Sequence, residues 1–270
     1  MPDDSVLLEY RGRIAVLTFN RPEKKNAFND EMWAGLEKAT AQLKKKHPRV
    51  LVVTGAGGMF SSGFDVNPSN PQVSELIDSV KTHSRTMVEK LVHYIRGCVD
   101  GLTTLPFPII AALNGNAFGG GAELAVRCDI RVMDPRAEIC FSEVKLGLMC
   151  DWGGGVALTR LIGPSRAADL ILTARRLGAE EAMIIGVANR ISEAGKTLEM
   201  SLDMAEIISR NGPRAVRASL EVIRRTPNLP LHDALEFETF LASDLIASGE
   251  CVHGVTAFLE KRDPEFPDPE

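Results

Sequence analysis

The sequence predicts an α/β fold with a helical C-terminal lobe. In the first half of the 270 residues, short apolar and β-branched runs alternate with turn residues, which is typical of strands. From residue 153 onwards, apolar residues recur instead at helical spacing. Apolar residues make up 44% and charged residues 25% of the chain, close to the averages for globular proteins, so we expect a folded protein with a substantial core.

The chain begins with a predicted β-hairpin and a helix. Residues 6–9 and 14–19 are apolar runs joined by Arg11, Gly12 and Arg13, a short polar connection that favours a hairpin. Apolar residues at helical spacing then begin near residue 29. Strand followed by helix is the start expected of an α/β domain.

Three cations, Arg21, Lys24 and Lys25, fall within five residues between the second strand and this helix. Lysines in such a position usually belong to a solvated loop. A cationic cluster at a strand-helix junction is also suited to a phosphorylated ligand, because guanidinium and ammonium groups pair with phosphate oxygens. The spacing alone leaves both interpretations open.

The third predicted strand covers residues 49–54, and a loop rich in glycine and serine follows it. The stretch VVTGAGG suggests nucleotide binding, but the GxGxxG pattern is not completed and no amphipathic helix follows at once. A short-chain dehydrogenase would also need a tyrosine with a lysine four residues later. Tyr10 and Tyr94 are followed at that distance by isoleucine and cysteine, so this class is excluded. Residues 71–105 are predicted to form a long helical stretch.

The central segment combines a strand, a glycine turn and a helix. Residues 108–113 are typical of a buried strand, and the three glycines at 119–121 precede residues 122–128, which have helix-forming composition. A sharp turn that leads into a helix N-terminus is suited to holding developing negative charge. We therefore expect a functional site here.

Three carboxylates come from this region: Glu123, Glu143 and Asp151. Paired carboxylates can serve as general acid and base when their environments separate their pKa values. A purely structural interpretation is also open, in which the glycines allow close packing, Glu123 complements the helix dipole and Asp151 caps the next helix.

Composition and spacing exclude several other classes. The net charge of −5 gives no basic surface for nucleic acid or an anionic membrane. The five cysteines are odd in number and contain no CxxC pair, which favours reduced thiols and a cytoplasmic location. The N-terminus has no apolar signal-peptide segment. The histidines lack metal-binding spacing, so no metal site is predicted.

Several stretches together resemble the crotonase family, the enoyl-CoA hydratases and isomerases, over nearly the whole chain. The most specific is NGNAFGGGAELAVRCDIRV, which is similar to the central family motif. Four more stretches resemble other family segments: FNRPEKKNAF, MFSSGFDV, FSEVKLGLMCDWGGGVALTRLIG and AFLEKRDPEF. The resemblance implies a crotonase-like spiral of ββα units over residues 1–200, forming an acyl-CoA-binding catalytic core. Residues 201–270 would form a helical oligomerisation lobe that assembles a homotrimer or hexamer.

The resemblance also implies roles for individual residues. The backbone N–H groups of Phe64 and Gly120 would form an oxyanion hole for the thioester oxygen, and Glu123 and Glu143 match the glutamates with which hydratases hold a water. Contacts with CoA are implied for Arg21, Lys24, Lys25, Ala27, Ser62, Phe64 and Lys261. CoA is part of the acyl-CoA substrate, so no separate cofactor is expected.

Hydration of an enoyl-CoA is the leading functional prediction. Asp151 departs from the usual hydratase pattern and matches an aspartate of several family isomerases, so double-bond isomerisation of an enoyl-CoA or dienoyl-CoA is the alternative. Capping of the following helix remains the structural alternative for Asp151. A non-catalytic acyl-CoA-binding protein is an alternative of another class, because a shared fold does not fix the reaction.

Overall fold

The computed structural model describes residues 5–268. The strands are β1 (Val6–Arg11), β2 (Ile14–Phe19), β3 (Val50–Gly55), β4 (Met59–Ser61), β5 (Ile109–Leu113), β6 (Asn116–Phe118), β7 (Ile130–Met133), β8 (Glu138–Cys140), β9 (Leu177–Gly178) and β10 (Arg190–Ile191). The helices are α1 (Asp30–Lys45), α2 (Pro71–Lys81), α3 (Arg85–Thr103), α4 (Gly120–Arg127), α5 (Gly154–Ile162), α6 (Pro164–Thr173), α7 (Ala179–Ile184), α8 (Thr197–Ser209), α9 (Pro213–Arg225), α10 (Leu231–Ala247) and α11 (Glu250–Glu260).

Consecutive strands divide between two sheets. One sheet has the order β1-β2-β3-β5-β7-β10 and the other β4-β6-β8-β9. The pairs β3/β4, β5/β6 and β7/β8 therefore each contribute one strand to each sheet before the chain continues into a helix, which gives the predicted spiral of ββα units. β1 and β2 pair antiparallel with Val6 opposite Phe19, and the predicted hairpin is confirmed.

The larger sheet is covered on both faces. All six residues of β3 are buried, as expected for a strand inside a parallel sheet. Trp33 and Leu36 of α1 belong to the core on one face, and Ala205 of α8 packs with Val50 and Val52 on the other. The predicted boundary after residue 200 thus falls inside a helix that packs on the sheet, and the division into two regions stays a prediction.

The predicted helical stretch over residues 71–105 is mostly confirmed, but α2 and α3 are separated at His83. This residue has a φ of 50° in the left-handed region, and the Ser84 N–H donates to the Ser79 carbonyl across the helix end. This is the hydrogen-bond pattern of a Schellman cap, which ordinarily has glycine at the left-handed position. Histidine gives no such signal in the sequence.

The last helices leave much apolar surface uncovered in the single chain. α10 has no buried residue, and Phe240 of α10 and Phe258 of α11 are 68% and 81% exposed. The buried Glu250 carboxylate accepts hydrogen bonds from the N–H groups of Arg214 and Ala215, which ties α11 to the start of α9. Within residues 5–268, no helix combines the length and apolar composition that crossing a bilayer requires.

Candidate active site

Glu123 reaches a buried position because a glycine turn separates β6 from α4. Gly119 has a φ of 53°, a conformation that glycine adopts without steric cost, and α4 begins at the next residue. Glu123 therefore lies in the first turn of α4, as predicted, and is only 1% exposed.

The carboxylate of Glu123 accepts three backbone N–H groups at the start of α5. Asp151 N–H donates to Oε1 at 3.3 Å, and the N–H groups of Trp152 and Gly154 donate to Oε2 at 3.0 and 2.8 Å. This approach requires a glycine at 154, because a Cβ there would lie 2.5 Å from Glu123. α5 begins at Gly154 with Gly153 in the N-cap position, so the interpretation of Asp151 as N-cap is wrong; Glu123 fills the capping role.

Glu143 lies beside Glu123 and lacks its hydrogen bonds. It begins the 3₁₀ helix Glu143–Leu146 after β8 and is 9% exposed. Both of its carboxylate oxygens are buried, and neither has a hydrogen-bond partner among residues 5–268. One oxygen of Glu143, one of Glu123 and Sγ of Cys150 all lie within 4.8 Å of one another. The structure thus brings together the two glutamates that are separated by twenty residues.

Burial and neighbouring negative charges alter the ionisation of the two glutamates. Burial is the main cause that raises the pKa of Glu123, and the negative charge of Glu143 raises it further. Burial likewise raises the pKa of Glu143. Asp151 is exposed and its own pKa is raised by partial desolvation, while its charge adds to the repulsion on both glutamates. The N–H groups at the start of α5 oppose these effects at Glu123 only.

Two backbone segments meet next to the glutamates. Gly63 has a φ of 83°, and a Cβ on it would lie 2.6 Å from the backbone nitrogen of Gly120. Phe28 N–H donates to the Gly63 carbonyl at 2.8 Å and Asp65 N–H donates to the Phe28 carbonyl at 2.9 Å. In this parallel bridge, the N–H of Phe64 points away from Phe28. The Gly120 N–H belongs to the first turn of α4, where helix N–H groups have no partner within the helix.

These sequence and structural features match a known family. The family model for Enoyl-CoA hydratase/isomerase covers residues 9–269. The chain belongs to this family. It is 34% identical over 264 residues to the enoyl-CoA hydratase EchA19 of Mycobacterium tuberculosis, an alignment that covers 96% of this chain and 95% of the relative. It is 32% identical over 261 residues to the short-chain-enoyl-CoA hydratase of Clostridium acetobutylicum, with 96% of each chain covered.

A solved enoyl-CoA hydratase from Bacillus anthracis has the same fold. Its TM-score to this chain is 0.88 at 30% identity, and the match covers 97% of this chain and 98% of the other. The predicted membership of the crotonase family and the predicted α/β fold are both confirmed.

The backbone around Gly63 is fixed by a polar network that the sequence analysis missed. Gly63 N–H donates to Ser61 Oγ at 3.0 Å, and this hydroxyl donates to the Asn26 carbonyl at 2.8 Å. Asn26 is fully buried, and its amide donates to the Met59 carbonyl at 2.7 Å. An asparagine between charged and apolar residues in KKNAF was the available signal, but partners more than thirty residues away do not appear in local spacing.

Trp152 is a second residue that the sequence analysis missed. A Cβ on Gly120 would lie 2.5 to 2.6 Å from atoms of the indole ring. The ring is 3% exposed and packs against the rings of Trp33 and Phe28, with centroid distances of 4.8 and 5.3 Å. The backbone of Gly120 therefore lies directly against a fixed aromatic surface.

The predicted cations of the CoA site have different environments. The guanidinium of Arg21 pairs with Asp65 at 2.8 Å, where the two side chains are 15% and 11% exposed, and also donates to the Ala27 carbonyl. Lys24 and Lys25 are exposed. Arg21 is thus engaged within the chain, whereas the two lysines face solvent at the same strand-helix junction.

The remaining predicted CoA contacts lie on two separate parts of the chain. Ala27 is buried, and Ser62 N–H donates to the Lys25 carbonyl at 3.0 Å, which joins the cationic loop to the Gly63 segment. Lys261 is exposed at the end of α11. The structure therefore groups residues 21–27 with Ser62 and places Lys261 on the C-terminal helices.

Proposed function

We propose that this protein adds water across the 2,3-double bond of an enoyl-CoA thioester. The observation that carries the proposal is the buried contact between Glu123 and Glu143, two carboxylates with different hydrogen bonding, beside the Gly63 and Gly120 segments. Membership of the hydratase/isomerase family and relatives named as enoyl-CoA hydratases support the same reaction.

The backbone N–H groups of Phe64 and Gly120 form the proposed oxyanion hole. Hydroxide that adds to the β-carbon pushes electrons onto the thioester oxygen, and the resulting enolate carries negative charge there. Two fixed N–H donors stabilise this charge, and loss of one such donor typically costs about 2.7–4 kcal/mol in the transition state. The positive end of α4 adds to the stabilisation at Gly120.

The two glutamates take opposite protonation states in this proposal. In this proposal Glu123 is the ionised member of the pair, because three N–H donors offset part of the effect of burial, and it removes a proton from the attacking water. Glu143 is buried and receives none of these N–H groups, so in this proposal it is the neutral member of the pair, and it gives its proton to the α-carbon of the enolate. The pair holds one proton before and after the reaction, and the proton changes places.

The pH dependence of hydration follows from this shared proton. Below the lower pKa of the pair both carboxyls are protonated and no base remains; above the upper pKa both are ionised and no acid remains. Because burial raises both pKa values, the loss at high pH should lie well above the ordinary range of a carboxyl group. We expect a bell-shaped profile of kcat against pH, and a profile flat through this range would contradict the assignment.

Glutamine variants in D₂O test the reaction. With a 2-enoyl-CoA substrate, the wild type should yield a β-hydroxyl product with deuterium at the α-carbon. Glu123→Gln and Glu143→Gln should each lower kcat by about 10²-fold or more, because general acid-base catalysis contributes 10²- to 10⁴-fold. Tight binding of acyl-CoA without turnover of any enoyl- or dienoyl-CoA would instead favour a non-catalytic binding protein.

Isomerisation is a second candidate, because Asp151 is free of the capping role and lies near both glutamates. A carboxylate beyond the pair could move a proton at a carbon farther from the thioester and so shift a double bond without adding water. Product analysis of Asp151→Asn with 3-enoyl- and dienoyl-CoA separates the two. A migrated double bond that this variant no longer forms favours the isomerase, whereas unchanged hydration favours the hydratase.

We propose that the exposed apolar residues of α10 and α11 pack against other copies of the chain in a homotrimer or hexamer. CoA would bind to Lys24, Lys25 and the backbone near Ala27 and Ser62. Lys261 of a neighbouring copy would contact the CoA phosphates. A monomer at micromolar concentration in light scattering would contradict this assembly. Phe240→Asp should shift the mass toward a single chain, since it places a charge in the apolar surface.

We further propose that the protein works in the cytoplasm and needs no cofactor beyond the CoA of its substrate. All five cysteines are free thiols, which supports a reducing compartment. Dialysed protein should hydrate enoyl-CoA without additions, and a requirement for an added cofactor would contradict the proposal.

A further inference from the structure

Cys150, Glu123 and Glu143 form a group of three side chains that could each supply one ligand atom to a metal ion. Sγ of Cys150 and one oxygen each of Glu123 and Glu143 lie within 4.8 Å of one another; we call these residues the Glu–Glu–Cys cluster. The local spacing of histidines and cysteines in the sequence predicts no metal site. Here the ligands come from α4, a 3₁₀ helix and the loop before α5.

The buried, unpaired carboxylate of Glu143 points to a bound ligand. Its side chain is 9% exposed, and neither carboxylate oxygen has a hydrogen-bond partner, although burial of an unpaired polar group is costly. Oxygen atoms in this state are available to a cation. The proposed reaction uses a water at the same place, so any cation there would compete with that water.

The donor set favours a soft divalent cation. Zn²⁺ binds thiolate sulfur at about 2.3 Å and carboxylate oxygen at about 2.0–2.2 Å in tetrahedral geometry, so two ligands of one ion lie about 3.4–3.6 Å apart. The ligand atoms of the Glu–Glu–Cys cluster lie within 4.8 Å of one another, so side-chain movements of about 1 Å bring them to this spacing. Mg²⁺ instead requires oxygen ligands in near-octahedral geometry and does not favour thiolate.

We propose that a zinc-class cation binds the Glu–Glu–Cys cluster and, by taking the place of the reacting water, reversibly inhibits the enzyme. Binding would release the thiol proton of Cys150 and the proton held by the glutamate pair to solvent, because the metal ligands must be deprotonated. The bound ion would screen the repulsion between the two carboxylates. Inhibition rests on the proposed function, whereas binding does not.

Cd²⁺ is a probe that reports metal binding independently of catalytic activity, because a cadmium–thiolate bond has a charge-transfer absorption in the ultraviolet. Titration of the full-length protein with Cd²⁺ should produce this band. Cys150→Ser should abolish it, and Glu143→Gln should weaken Cd²⁺ affinity by about 10-fold or more while the thiol remains. Cys251→Ser is the matched control, since Cys251 is exposed on α11, and it should leave the saturable band intact.

The outcomes separate this inference from the proposed function. An unchanged band in Cys150→Ser, or a band lost in Cys251→Ser, overturns the site, provided that circular dichroism shows folded protein. No saturable band in the wild type also overturns it, and this result needs no variant. If the band follows Cys150 and Glu143 but the protein hydrates no enoyl-CoA, the metal site stands and the proposed function fails.

Inhibition provides the second readout. Zn²⁺ should lower the hydration rate of the wild type, EDTA should restore it, and Mg²⁺ at the same concentration should have no effect. The Zn²⁺ concentration for half inhibition should rise by about 10-fold or more in Cys150→Ser. Equal sensitivity of the wild type and Cys150→Ser to Zn²⁺ would show that the ion acts elsewhere and would overturn the inhibitory site.

Discussion

Gly120→Ala is expected to damage both folding and catalysis. The added Cβ would lie 2.5 to 2.6 Å from carbons of the Trp152 indole, whereas carbon atoms pack best at about 3.5–4.0 Å. Either the ring or the backbone must therefore move by about 1 Å. The ring has no space to move, because it is buried against Trp33 and Phe28.

The magnitude follows from this contact. Extra volume in a well-packed core typically costs about 1–3 kcal/mol of the free energy of unfolding. If the backbone moves instead, the N–H of Gly120 leaves its place beside the Gly63 segment, and loss of this proposed oxyanion donor should cost about 10²- to 10³-fold in kcat. We expect both effects, with the larger one on kcat.

Urea unfolding followed by circular dichroism measures the first effect, and hydration kinetics with a 2-enoyl-CoA measures the second. Gly97→Ala is the matched control: Gly97 is exposed inside α3, and no atom lies within 4 Å of an added Cβ. This control should gain up to about 1 kcal/mol, since alanine favours helix. Wild-type stability and wild-type kcat in Gly120→Ala would refute the reasoning.

Three further predictions concern other parts of the chain. Replacing Lys24 and Lys25 together by serine should raise KM for acyl-CoA, most at low salt, with little change in kcat; an unchanged KM contradicts their proposed role. Hydrogen bonds, chiefly from Arg136, hold the pKa of the buried Asp134 well below its usual range, so Asp134→Asn should cost about 1–3 kcal/mol in urea unfolding at neutral pH. The difference should shrink as the pH falls below about 4, because the Asp134 carboxyl then takes up a proton in the unfolded chain while it stays ionised in the folded one. Glu250→Ala should lower stability by about 0.5–2 kcal/mol in thermal unfolding, because the start of α9 loses its cap; no change in Tm contradicts this.

The predictable parts of the fold are those with local signals. The hairpin of β1 and β2, the start of α1 at its Asn29 cap and the turn into α4 follow from apolar spacing, capping residues and glycines. The break at His83 was missed because its left-handed conformation is set by hydrogen bonds across the helix end rather than by a glycine. Short strands such as β9 depend on pairing with β8 and have too few residues to show a period.

The candidate site likewise has parts that local sequence signals predict and parts that depend on long-range contacts. The positions of the two glutamates were found from motifs, but the hydrogen bonds of Glu123 reach residues 28 to 31 positions away, a relation that spacing cannot show. The ion pair of Arg21 with Asp65 likewise joins residues 44 apart, and it changes Arg21 from a free cation to an internal one. Long-range contacts therefore decide which charged side chains remain available to a ligand.

Because the carboxylate of Glu123 accepts hydrogen bonds from the start of α5, its protonation should change the rate of amide hydrogen exchange there. Each proton that Glu123 accepts weakens the hydrogen bonds from Trp152 and Gly154, so local opening of the first turn of α5 becomes easier. Deuterium uptake at these amides should therefore follow the protonation of the carboxylate, after correction for the intrinsic pH dependence of exchange. Amide exchange in helix α5 would thus report the protonation state of Glu123, the proposed catalytic base, in the absence of substrate.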